Sequence, residues 1–137
     1  MSLNNQFAYA VHVLTMLSLE NAPMSSSQLA FGVNSHPVTI RKIVRELLRA
    51  GLVSTQHGSN GGTTLVRPTS AITLREVYEA VCKNSLLRVH AAVPDPGCQE
   101  GKNVQHALQE IFDASEAALL SYLEKITVSQ VLQTVTA

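Results

Sequence analysis

Tryptophan is absent from the 137 residues, and three tyrosines and three phenylalanines are the only aromatics. That scarcity argues against the stacking platforms on which RNA loops and single strands are read. Two cysteines, Cys82 and Cys98, cannot build a disulfide framework, so a reducing cytoplasm is the expected compartment. Long apolar runs are missing too. The stretch from Phe7 to Leu19 is broken by Tyr9, His12, Thr15 and Ser18, and nothing approaches the ~18 residues that span a bilayer. Ser2-Leu3-Asn4-Asn5-Gln6 lacks the cationic start of a secretion signal, so no membrane partner is expected. There is no nucleophile elbow, phosphate loop or tight metal-ligand pair, and an enzyme is not expected.

Charge is sparse, 15% of residues, and its formal sum is zero, but it is unevenly placed. Residues 1–75 carry Arg41, Lys42, Arg45, Arg49, Arg67 and Arg75 against Glu20 and Glu46, a net +4. Residues 76–137 carry four basic and eight acidic residues, a net −4. Local field rather than total charge drives encounter with a polyanion, so a basic front and an acidic back remain compatible with phosphate. The 45% hydrophobic content is enough for the core of a single domain.

The basic residues cluster on one predicted helix. Asn34 or Ser35 can cap it, Pro37 suits its first turn, and Ile40, Ile43, Val44, Leu47 and Leu48 recur at core spacing. Arg41, Lys42, Arg45 and Arg49 fall on the other face, interrupted only by Glu46. Gly51 stands where a left-handed C-cap is favoured, and Leu52–His57 and Thr63–Arg67 read as strands joined by Gly58-Ser59-Asn60-Gly61-Gly62. A short helix from Ser26 to Gly32 precedes this. Short helix, turn, cationic helix and glycine-tipped hairpin, in that order, are the pattern of a winged helix-turn-helix, whose second helix enters a major groove about 12 Å wide.

On that reading Arg41 contacts a base edge or phosphate, Lys42 and Arg45 position phosphates, and Arg49 is surface charge. His36, Pro37, Val38 and Thr39 open the helix; His36 and Thr39 either donate to DNA or cap the helix start. His57, Ser59, Asn60, Gly61 and Gly62 form the wing, whose short polar groups suit backbone or minor-groove contact and equally a solvated turn. Asn4, Asn5 and Gln6 could touch phosphates from the first helix.

That first helix is predicted through Phe7, Ala10, Val11, Leu14 and Leu17 to Glu20, closed by Asn21-Ala22-Pro23. Thr73 and Glu76 form a capping box for a helix through Val77, Ala80 and Val81. Residues 93–101, with two prolines and two glycines, read as a loop. A long helix over 103–126 follows, with Val104, Leu108, Ile111, Ser115, Leu119, Tyr122 and Ile126 on one stripe, and a short helix over 128–135 ends the chain. About 33 Å of long helix exceeds what the domain needs to cover itself, so the surplus face is assigned to a second subunit; folding back on its own domain is the alternative. The expected class is thus mainly α with a small β-hairpin: a winged helix-turn-helix domain over 1–82, and a dimerisation region over 83–137.

These passages resemble the Rrf-two family of bacterial winged-helix transcription regulators over nearly the whole chain. The similarity lies in Phe7 to Leu14, in Val38 to Val53 with Gly58 to Leu65, and in Ile72 to Val81. The resemblance implies a homodimer held by the long helices, binding a roughly two-fold DNA operator and usually repressing. It places Pro37 to Lys42 against base edges and residues 57–63 at the adjacent minor groove, and it leaves room for an effector, a small molecule or a protein. Relatives with an iron–sulfur cluster carry three closely spaced cysteines before the dimerisation helix; here only Cys98 lies there, which implies a clusterless branch without cofactor. Cys82 is expected to be a small buried hydrophobe. His57 replaces an arginine common in the wing, and Thr63 an aromatic.

His90, Cys98 and His106 are zinc-type ligands, but spaced eight residues apart they form no local pair, and no metal site is assigned. Cys98 alone fits a redox-sensing thiol on an exposed loop, an alternative route to regulation. A winged-helix module whose basic face meets an acidic protein is a further alternative, separated from DNA binding by salt dependence.

Overall fold

The computed structural model describes residues 3–89 and 97–137, and among them the chain is mainly helical with one antiparallel hairpin. α1 (Leu3–Glu20) buries Ala10, Val13, Leu14 and Leu17 on the face the apolar spacing marks, and ends where Asn21 takes φ 53°. α2 (Ser26–Val33) opens on a capping box: Ser25 accepts from the Gln28 N–H while the Gln28 side chain accepts from the Ser25 N–H.

α3 (Pro37–Arg49) corrects one expectation. Asn34 and Ser35 do not cap it; His36 occupies the N-cap and makes no side-chain cap bond. Asn34 instead closes α2, at φ 61°, with the Ser35 N–H reaching back to the Ala30 carbonyl at 2.9 Å. This left-handed closure lets the chain turn within three residues and re-enter a helix at Pro37, whose missing N–H leaves no bond unmade.

α3 ends as the glycine predicts. Gly51 has φ +76°, its N–H reaches the Leu48 carbonyl, and the Leu52 N–H reaches Leu47 at 3.0 Å, the paired bonds of a Schellman closure. The chain passes directly into β1 (Val53–Gln56), which pairs with β2 (Gly62–Leu65) in the register Val53↔Leu65 to Gln56↔Gly62. Both strands are shorter than the predicted runs, and the loop between them is residues 57–61, because Gly62 already lies in the ladder. A 3-10 turn at Thr69–Ala71 leads to α4 (Leu74–Val81), whose Thr73–Glu76 capping box forms as expected.

α5 (Gln99–Leu123) starts four residues before the predicted helix and ends three before its predicted close. Gln99, Glu100 and Gly101, read as loop, are helical, and the Cys98 sulfur caps them by accepting from the Gly101 N–H at 3.3 Å. The first part of the predicted loop, 93–96, lies outside the described residues. α6 (Val128–Thr136) begins on a Thr127–Gln130 capping box. The turn before it is tied to the entry of α4: the Leu74 N–H donates to Ile126 at 2.8 Å and the Val128 N–H to Ile72 at 2.9 Å.

The core lies where α1, α2, α3 and α4 meet beneath the hairpin. Leu14, Leu29, Ile40, Leu47, Leu52, Ile72, Val77 and Val128 are inaccessible to solvent. Each such aliphatic side chain contributes roughly 1.5–3 kcal/mol by leaving water. The same packing fixes which side of α3 remains outside.

Candidate nucleic-acid interface

Burial of Ile40, Ile43, Val44 and Leu47 turns Arg41, Lys42 and Arg45 outward, and all three are exposed. Among the described residues none of the three has a carboxylate within 4.0 Å. The other cations of the basic front are internally engaged. Arg49 pairs with Glu46 at 2.9 Å, Arg67 with Glu76 at 2.6 Å, and Arg75 with both Glu79 and Glu124 at 3.1 Å. The net +4 read from residues 1–75 therefore resolves into three cations on one helix face that have no carboxylate partner among the described residues.

Those internal pairs leave their mark on protonation. The hydrogen bond from Arg67, assisted by those of the capping box, holds the Glu76 carboxyl below its ordinary value despite partial burial. Glu79 foremost, with Glu124, raises the Arg75 guanidinium still further.

The start of α3 is equally open. His36 is exposed, Val38 is 56% exposed, and Pro37 and Thr39 are half-buried. At the hairpin tip His57, Gly58, Ser59 and Asn60 are exposed, and Gly61 is half-buried with its N–H on the Gly58 carbonyl at 3.0 Å. Gly62 and Thr63 are not tip residues. Thr63 is buried, and its backbone N–H and carbonyl both bond to Met24, at 2.8 and 3.1 Å. Gly62 has φ +145°, and a Cβ there would lie 2.6 Å from the Met24 carbonyl oxygen, so only glycine fits. The wing is thereby fastened to the turn between α1 and α2.

On α5 the predicted stripe is only partly exposed, and most other positions of the helix are exposed as well. Val104, Ile111 and Tyr122 are 55%, 57% and 63% exposed, and Ser115 is exposed with its hydroxyl donating to the Ile111 carbonyl. Leu108 and Leu119 are half-buried, Leu119 against the core, and Leu123 is the helix's one buried residue. A helix of 25 residues, roughly 37 Å long, thus joins its own core only near its C-terminal end.

The donor set for an iron–sulfur cluster does not fit. Cys82, at the C-cap of α4, is buried, and that burial pushes its thiol pKa up, opposite to what a metal-bound thiolate requires. Cys98 is half-buried in the α5 cap with the Glu100 carboxylate 4.0 Å away. His106 faces Glu110 at 3.2 Å, and His90 lies outside the described residues. Among the described residues no three His, Cys, Asp or Glu side chains come together. No described helix is long and apolar enough to cross a membrane.

Sequence reasoning missed Lys83 and the shielded oxygen of Glu46. Lys83 follows α4 and stands 3.7 Å from Glu46 Oε2. No local pattern marks it, because only the packing of α4 against α3 brings the two together.

Comparison with known proteins agrees with this architecture. A candidate HTH-type transcriptional regulator of Bacillus subtilis, YwnA, is 32% identical over 130 residues, covering 95% of this chain and 96% of that protein. A crystal structure described as a candidate DNA-binding protein superposes with a TM-score of 0.76 at 28% identity, covering 93% of this chain and 98% of that one. A candidate transcriptional regulator from Lactobacillus plantarum shares the fold, with a TM-score of 0.84 at 20% identity over 96% of this chain and 89% of that one. The family model described as Rrf2, iron-dependent transcriptional regulator, matches residues 3–134, and the chain belongs to the Rrf2 family.

Proposed function

We propose that this chain is a sequence-specific duplex-DNA-binding transcription regulator that acts as a homodimer on a two-fold operator, and that it represses. The observation that carries the reading is the trio Arg41, Lys42 and Arg45: exposed, without carboxylate partners among the described residues, on the helix that follows the turn and precedes the wing. An unengaged cation beside a polyanion gains more than one already paired, because it gives up no internal contact. Arg41, in the second turn of α3, is assigned to a base edge, where its planar fork suits guanine; Lys42 and Arg45 are assigned to phosphates. Pro37, Val38, Thr39 and His36 open the helix toward the groove floor, and His57, Ser59 and Asn60 are assigned to the neighbouring minor groove. Gly61 and Gly62 shape the wing rather than contact DNA.

The apolar stripe of α5 supports the homodimer: Val104, Ile111 and Tyr122 stand largely in solvent in a single chain, and Leu108, Ser115 and Leu119 complete the same face. Two copies paired through it would present two α3 helices, matching a two-fold operator. Repression rests on the family resemblance.

The test is duplex affinity measured across salt. The logarithm of affinity should fall with the logarithm of salt with a slope near −0.9 per phosphate neutralised. A flat response would reject DNA in favour of a protein partner.

A further inference from the structure

Beside the outward face of α3 runs a groove of about 390 Å³ whose lining includes Gln6 of α1, Lys42, Arg45 and Glu46 of α3, and Lys83 and Asn84 beyond α4. A groove of that size, open to solvent, admits a phosphodiester together with water. Its lining holds three cations and one carboxylate. Glu46 Oε1 is taken by Arg49 at 2.9 Å, whereas Glu46 Oε2 is shut off from solvent and lacks a hydrogen-bond donor. Lys83 Nζ lies 3.7 Å from that oxygen, too far for a hydrogen bond. Lys83 is therefore held near the groove by attraction alone and remains 61% exposed, with its donors uncommitted.

We infer that this groove is a seat for a backbone phosphate of duplex DNA, in which Lys83, supplied from outside the helix-turn-helix and wing, joins Lys42 and Arg45. The assignment rests on the proposed DNA-binding reading and extends it to a residue that neither the helix pattern nor the hairpin pattern contains. Lys42 and Arg45 belong to both the α3 stripe and the groove, so a strand whose bases meet Arg41 passes the groove with its next phosphates. Gln6 and Asn84 provide amide donors without charge, suited to the non-bridging oxygens. Glu46 offsets part of the repulsion among these cations and still leaves the groove lining with a net positive charge.

The experiment compares Lys83→Gln, Lys83→Arg and, as a distant control, Lys125→Gln in full-chain duplex binding across a salt series, with thermal melting to verify equal folding. Lys83→Gln should weaken binding about 3- to 10-fold on the preferred and on unrelated duplexes alike, and reduce the salt slope by about 1. Lys83→Arg and Lys125→Gln should retain the parent slope. A Lys83→Gln chain with the parent's slope and affinity overturns the groove assignment while leaving the regulator reading intact. A parent chain without salt-dependent duplex affinity overturns the regulator reading and this assignment with it.

Discussion

Met24 and Thr63 exchange both of their backbone hydrogen bonds, at 3.1 and 2.8 Å, so the second strand of the wing is an extension of the turn between α1 and α2. The wing is consequently not a free finger. Its base is bonded to the turn that leads into α2, the first helix of the helix-turn-helix.

Gly62→Ala tests that link. A methyl at φ +145° and 2.6 Å from the Met24 oxygen must push the strand away. We expect a loss of about 1–3 kcal/mol in urea unfolding, the range for a residue held in a disallowed backbone region. An unchanged midpoint would show that the wing is not fastened there.

Arg41→Ala separates base reading from phosphate contact. A base-reading role predicts a loss of about 1–3 kcal/mol on the preferred duplex with relaxed choice at one base position. Lys42→Ala should weaken all duplexes alike. Competition binding against duplexes varied one base at a time distinguishes the two patterns, and an equal loss on every sequence for Arg41→Ala would make it a phosphate contact.

Ile111→Glu probes the α5 face. Ile111 is 57% exposed, so a charge there leaves the monomer's core intact while placing two carboxylates in the paired interface. Sedimentation should show the mass fall from two chains to one. Leu119 is less suitable, because it also packs against the core and its replacement would destabilise the monomer. An unchanged dimer mass for Ile111→Glu would remove this face from the interface.

Glu76 gives the chain an acid-sensitive element. Its folded-state pKa is depressed, chiefly by the hydrogen bond from Arg67, so the unfolded chain takes up the proton first as pH falls. The stabilisation is complete above the ordinary carboxylate value of ~4.3 and is lost as pH falls through the depressed folded value. The two side chains are 36% and 39% exposed, which limits the contribution to at most about 1 kcal/mol. In Glu76→Gln, the unfolding midpoint should be lower at neutral pH and its decline toward acid shallower. Parallel pH profiles for the two proteins would contradict this.

Features governed by chemistry within a few residues were legible in the sequence. The Thr73–Glu76 capping box, the Gly51 closure and the cationic face of α3 each follow from spacing alone. Asn34 fits both the turn after α2 and the N-cap of α3, because asparagine serves equally as an N-cap and as a left-handed closure, and only the Ser35–Ala30 bond decides between them. The start of α5 was hidden because a cysteine sulfur, rather than a Ser, Thr, Asp or Asn oxygen, caps it. Lys83 was invisible for a different reason: its neighbours in space, Glu46, Lys42 and Gln6, come from two other helices.

The most direct measurement is selection of bound fragments from a pool of random duplex DNA by the purified chain. The account predicts enrichment of one two-fold motif, with half-sites about 10 base pairs apart centre to centre or a multiple of that. Recovery of unenriched sequences at low salt, with no motif and no dependence on Arg41, would contradict it.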